Sequence, residues 1–221
     1  MNTIDLDWFP HNERDLLERC DLIAGITLLQ LSHLVKRALP KPEQKKGWIG
    51  QAIELVLGGS AGNVAAPDFI HLGIELKTIP VDEYGVPMES TFITSIALLT
   101  IYTQNWLSSQ CYAKLRRILW VPVEGARHLH FADRRVGKAF LWSPTIKEMV
   151  ILQQDWTELT DMISIGNIDK IHAGIGEYLH IRPKALNNAA VCYAFDNNGD
   201  RILTLPRGFY LRRSFTKTFF R

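Results

Sequence analysis

The chain has 221 residues, 47% hydrophobic and 22% charged, with a formal net charge of +2, which suits one well-buried domain spanning 1–221 with two lobes. Cys20, Cys111 and Cys192 are odd in number and far apart, which argues against a disulfide framework and a cysteine-rich zinc site. The longest apolar run, 92–102, is broken by Thr94, Ser95 and Thr100 and too short to span a bilayer, and the acidic start lacks a signal-peptide pattern, so a cytoplasmic protein with no membrane partner is expected.

Asn12 predicts a cap for a helix through Leu16, Leu17, Cys20 and Ile23, ended by Gly25. Thr27 predicts a second helix with Leu28, Leu31, Leu34 and Val35 as its apolar stripe, stopped before Pro40 and Pro42. After a Lys- and Pro-rich connector, 48–57 reads as a third helix. In it Gly50, Glu54 and Gly58 recur every fourth residue, setting one carboxylate in a seam that lacks side chains. Such a seam permits close approach to a backbone or a cleft; an exposed glutamate on an amphipathic helix explains the same spacing. Residues 58–63 form a loop without the lysine or spacing of a nucleotide-binding P-loop.

A strand is predicted over 74–81, followed by turn signals at Asp82, Gly85 and Pro87 and an antiparallel partner over 90–97. Further strands are expected at 118–121, 139–142 and 201–205, with 176–184 reading as strand into loop. Thr145 and Glu148 fit a capping box that opens a long helix through Met149, Leu152, Trp156, Leu159 and Ile163, with Gly166 as its stop. The seven histidines show no ligand spacing and read as structural or surface groups.

Charge is unevenly spread. Residues 112–138 hold seven basic against two acidic residues and 182–221 eight against two, while the rest is acidic. A nearly neutral chain so divided could lay one positive face along a polyanion, although charge runs are commonly just solvated faces. Arg182-Pro183-Lys184 and the interleaved bases and rings of 205–213 suit nucleic acid, and equally a strand edge with scattered arginines.

The stretch 67–80 carries the chemistry. Alternation puts Glu75 and Lys77 on one strand face and Leu76 on the other, and Gly73 can turn the chain so that Asp68 lies beside them. Converging carboxylates repel unless a cation sits between them, and hard ions such as Mg²⁺ take oxygen ligands. A lysine beside such an ion can orient water or stabilise charge developing on a phosphate. The set reads as Mg²⁺-assisted attack of water on a phosphodiester, with Glu54 as a candidate third acid. An ordinary strand with a Glu75–Lys77 surface pair explains the same residues, and a second acid-x-lysine, Glu43-Gln44-Lys45, sits in the connector by chance.

Several stretches, in order, resemble the MutH family of methyl-directed mismatch-repair endonucleases and, more distantly, type II restriction enzymes. They are Lys46-Gly47-Trp48-Ile49-Gly50, Ala61-Gly62, Asp68-Phe69, Leu72-Gly73-Ile74-Glu75-Leu76-Lys77-Thr78-Ile79-Pro80, Glu89-Ser90-Thr91-Phe92, Leu119-Trp120-Val121-Pro122-Val123-Glu124-Gly125, Asp155-Trp156, Gly176-Glu177-Tyr178, Ile181-Arg182-Pro183-Lys184 and Thr204-Leu205-Pro206-Arg207-Gly208-Phe209-Tyr210-Leu211. The resemblance implies a restriction-endonuclease-like α/β fold: a mixed β-sheet flanked by helices, with two lobes forming a DNA cleft. It implies a monomer that binds double-stranded DNA at GATC and, with Mg²⁺, nicks the unmethylated strand of hemimethylated DNA 5′ to the guanine, stimulated by MutL. Mn²⁺ or Ca²⁺ can occupy the same metal site. Asp68, Glu75 and the Leu76 backbone carbonyl would be metal ligands, Lys77 the catalytic lysine, Glu54 an additional acid and Lys114 a further lysine near the reaction. Lys46, Phe92, Arg182, Pro183, Lys184 and Tyr210 would contact DNA. The segment 101–111 departs from the family's wording, and the chain ends soon after Phe219-Phe220, where the family's C-terminus helps couple to MutL.

Overall fold

A computed structural model describes residues 5–41, 44–45, 47–59, 65–184 and 190–220. The chain divides into two compact units: Met1–Glu89 with Arg116–Ser143 and Phe220–Arg221, and Ser90–Leu115 with Pro144–Phe219.

In the first unit the caps fall where the sequence sets them. Asn12 accepts from the Asp15 amide to start α1 (Glu13–Ile23), and Thr27 with Gln30 forms a capping box for α2 (Leu28–Leu34). The second helix ends six residues ahead of Pro40, where Lys36 takes a positive φ of 52°. The third helix, α3, spans Trp48–Val56. Its glycine seam does allow close approach: Gly50 lies against the Thr78 hydroxyl, and a Cβ at Gly58 would fall 2.3 Å from the Trp8 carbonyl oxygen.

A three-stranded sheet in the order β1-β3-β4 joins β1 (Glu75–Val81), β3 (Ile118–Glu124) and β4 (Phe140–Trp142). The β1–β3 pair is parallel and β3–β4 antiparallel, so the sheet is mixed. Leu76, Leu119, Val121 and Val123 share one face, and their side chains join Leu16, Leu28, Leu31, Ile53 and Val56 of the helices in one apolar core. Alternation sends Glu75 and Lys77 to the other face, next to Trp120, whose ring meets Phe220 edge-on at 5.4 Å.

The expected 90–97 hairpin partner is a correction. After Asp82 opens the turn, the returning chain makes one bridge, Val81 with Pro87, and two hydrogen bonds, from the Asp82 amide to the Val86 carbonyl and from the Met88 amide to the Pro80 carbonyl. Proline cannot donate a further ladder bond. The strand that follows, β2 (Thr91–Ser95), belongs to the second unit and pairs with β8 (Arg207–Leu211). The parallel β1–β3 neighbours instead require a long crossover.

In the second unit β2, β8 and β5 (Leu179–Pro183) form an antiparallel sheet in the order β2-β8-β5. The long helix α5 (Ile146–Ser164), with the Thr145–Glu148 capping box, buries Leu152, Trp156, Leu159 and Ile163. Helix α4 (Gln110–Leu115) and α6 (Arg213–Thr216) complete the unit, with a hairpin of β6 (Cys192–Phe195) and β7 (Arg201–Thr204). No strand is expected at 192–195 from the sequence, because an apolar run shows no alternation. No helix among the described residues is long and apolar enough to cross a membrane.

Candidate active site

Gly73 adopts φ +65°, a left-handed turn that suits glycine. It reverses the chain so that Phe69 bridges Ile74 and the Asp68 carboxylate accepts from the Leu76 amide at 2.8 Å. The Glu75 amide donates inward to the Arg117 carbonyl across the β1–β3 ladder. Amide and carbonyl of one residue point to the same side of a strand, and the side alternates, so the Leu76 carbonyl faces the outer edge where Asp68 lies. Arg117 is held by a two-pronged pair with Glu13 of α1, which ties the start of β3 to the first helix.

Glu75 is only 1% exposed. Its Oε1 accepts from the Lys77 ammonium at 2.5 Å, with side-chain exposures of 2% and 14%. The surface-pair alternative is therefore excluded for Glu75: the carboxylate is buried, and the Lys77 ammonium pairs with it. Removing a charge from water costs several kcal/mol, so such a pair is a stored electrostatic element rather than a cheap ornament.

The sequence-predicted acids do not stand equally. Asp68, Glu75 and the Leu76 carbonyl are gathered on one strand and its edge. Glu54 is half-buried on α3, its side chain close against Gly59, where a Cβ would meet the Glu54 Cγ at 2.4 Å. Among the described residues no three His, Cys, Asp or Glu side chains cluster as a ready cation cage. The donor set of two carboxylates and a strand-edge carbonyl still fits Mg²⁺, which is bound through one or two carboxylates and keeps several waters. Lys114 lies half-buried in the last turn of α4, in the second unit.

The other candidate residues converge on the β2-β8-β5 sheet. Register sets Phe92 opposite Tyr210, Tyr210 opposite His180, and Gly208 opposite Arg182, so these positions share one face. Phe92 and Tyr210 meet edge-on at 5.3 Å; the Arg182 guanidinium lies 5.9 Å from the Tyr210 ring centre and the Lys184 ammonium 3.9 Å from that of Phe92. Gly208 makes room for this layer, because a Cβ there would fall 2.7 Å from the Phe92 ring. Pro183 ends β5 opposite Arg207. Lys46, and the Ala61-Gly62 motif, lie outside the described residues.

Two residues have a setting to which the sequence reading gives no role, although Asp155 stands in one of the matching stretches. Asp155 of α5 is buried, and its carboxylate accepts from the amides of Glu177, Tyr178 and Leu179 at 2.7–2.8 Å, fixing the turn that launches β5 and Arg182. A charge between Leu152 and Leu159 on the apolar stripe was the available signal. His180 is 5% exposed; burial, then the Arg212 and Arg182 charges, push its pKa down to about 4.

A mixed sheet flanked by helices, carrying an aspartate at the strand edge and a buried Glu-x-Lys on the strand, defines a restriction-endonuclease-like α/β protein. Residues 57–155 match the family described as "DNA mismatch repair enzyme MutH". The curated DNA mismatch repair protein MutH of Shewanella sp. strain ANA-3 is 46% identical over 208 residues, covering 94% of this chain and 93% of the relative. Those of Shewanella baltica strain OS185 and Shewanella oneidensis strain MR-1 are 45% and 43% identical, over 94% of the chain and 93% of each relative. The chain belongs to the MutH family.

Proposed function

We propose that this protein is a Mg²⁺-dependent endonuclease of mismatch repair that nicks the unmethylated strand of hemimethylated DNA 5′ to the guanine of GATC. The observation that carries the reading is the buried Glu75 carboxylate sharing a strand face with Lys77 while Asp68 is fixed at the same strand's edge. A module that only recognises DNA has no need of a carboxylate desolvated beside a lysine.

Asp68, Glu75 and the Leu76 carbonyl would hold Mg²⁺, with Glu54 assisting a second ion. Bound there, the ion supplies Lewis-acid charge and lowers the pKa of coordinated water. Lys77 keeps its ammonium at the strand face, where it orients the attacking water and meets charge that develops on the phosphate oxygens. Lys114 falls where the family has a further lysine of the reaction. Arg182 reads guanine through two parallel hydrogen bonds in the major groove, with Pro183 shaping the loop. Tyr210 and Phe92 contact the adenine: an N6-methyl removes a donor hydrogen and adds bulk to a tight contact. Lys46 falls where the family has a DNA-contacting lysine. Lys184 steadies Phe92 and contributes charge toward the backbone. The protein acts as a monomer in the cytoplasm, on double-stranded DNA, stimulated by MutL.

Supercoiled plasmid bearing GATC separates this from a non-cutting recognition module and from a stand-alone type II enzyme. Nicked circles that require Mg²⁺ are expected; binding in Ca²⁺ without nicking in Mg²⁺ supports the module, and vigorous linearisation without MutL supports the type II enzyme.

A further inference from the structure

His180 is the one histidine whose setting calls for a role. It is the second residue of β5, opposite Tyr210 and two residues before Arg182, on the face that carries Phe92. Its ring meets the Tyr210 ring edge-on, 6.2 Å between centres at 84°. Both ring nitrogens are buried without a hydrogen-bond partner; the Ala173 carbonyl acts on the ring but closes no bond of normal geometry. A buried polar group left unsatisfied costs about 1–3 kcal/mol, so stability alone favours an apolar side chain of this size here.

We infer that His180 is a specificity-determining positioning residue, whose ring sets where Tyr210 and Arg182 meet a base pair. Three features carry this. The ring is a flat wall against Tyr210, fixing the tilt of a side chain that a smaller neighbour would release. It feels the charges of two guanidinium-bearing residues, Arg182 and Arg212, and stays uncharged there, so it repels neither. Its nitrogens offer an unused acceptor and donor inside the layer from which Arg182, packed over Tyr210 in the free protein, must turn to reach guanine. Arg212 itself is spoken for by the Gly176 and Ile175 carbonyls, whereas Arg182 is exposed. The inference rests on Arg182 and Tyr210 being base-contacting groups.

The test is fluorescence anisotropy in Ca²⁺ with a GATC duplex and a scrambled duplex of equal length, for wild type, His180→Ala and His180→Gln. Wild type must prefer GATC; if it does not, the base-contact reading fails before the histidine is at issue. The preference should fall about tenfold or more in His180→Ala, with scrambled-duplex affinity at low salt within about twofold, and return to within about threefold in His180→Gln. A merely structural histidine lowers thermal stability without moving that ratio. A folded His180→Ala that keeps the wild-type preference overturns the inference. Should that variant not fold, ¹⁵N signals of the His180 ring in the wild-type protein decide: they shift with the GATC duplex and not with the scrambled one, or the inference is wrong.

Discussion

Replacing Lys77 by methionine keeps the length and packing of the side chain and removes only the charge paired with Glu75. The pair is close, 2.5 Å from Nζ to Oε1, and both side chains are largely out of water. Breaking a buried pair on one side costs about 3–5 kcal/mol, because the remaining charge is stranded. For a chain of this size 1 kcal/mol moves the melting temperature by about 2–4 °C, so Lys77→Met should melt roughly 6–20 °C below wild type. The cycle with Glu75→Gln isolates the cause. The double variant has no stranded charge and should recover most of the loss, a coupling of about 2 kcal/mol or more. Saturating Ca²⁺ should raise Lys77→Met more than wild type, since a divalent ion beside Glu75 replaces the missing ammonium and binds only the folded state. Differential scanning calorimetry reads all of these. A single variant melting within about 2 °C of wild type, or additive effects in the double variant, would refute the view of Glu75 and Lys77 as one electrostatic unit. Incision should be lost in Lys77→Met while affinity for GATC duplex is retained.

Asp155→Asn exchanges a carboxylate that receives three amides for a group that can accept at one end only; a loss of about 2–3 kcal/mol in urea unfolding is expected, with weaker GATC binding because β5 is no longer anchored. Protonation of His180 is disfavoured in the folded state, whose pKa is about 4 against 6.5 unfolded. Stability from this group is therefore complete above pH 6.5 and declines as pH falls toward 4, by up to about 3 kcal/mol. His180→Gln should lose less stability over that range than wild type. Arg182→Lys should cost about 1–3 kcal/mol of discrimination at the guanine, read as the ratio of incision at GATC to a guanine-substituted site, because an ammonium cannot form the two parallel bonds.

What the sequence made legible was local. Asn12, Thr27 and Thr145 announce their helices because a cap is a hydrogen bond spanning three residues, and all three starts are as expected. Asp68 reaches the strand through a turn centred on one glycine, so that contact was also readable. Strand pairing was not, because β1 and β3 are joined only after some forty residues and nothing in β1 names its neighbour. The burial of Glu75 follows from that pairing and from Trp120 beside it, and turns a surface-looking charge pair into a buried one. His180 hid for a similar reason: its opposite number, Tyr210, lies thirty residues away. Asp155 could have been found, since a charge on the buried stripe of an amphipathic helix requires partners.

The central claim is cleavage of one chosen strand by the Asp68–Glu75–Lys77 site. A hemimethylated GATC duplex with a distinct label on each strand, incubated with Mg²⁺ with and without MutL, tests it directly, beside a fully methylated duplex and an Asp68→Asn variant. The account predicts incision of the unmethylated strand alone, 5′ to the guanine, raised by MutL and absent in Asp68→Asn. Binding of the duplex with no incision under any of these conditions, or equal cutting of the methylated strand, would contradict it.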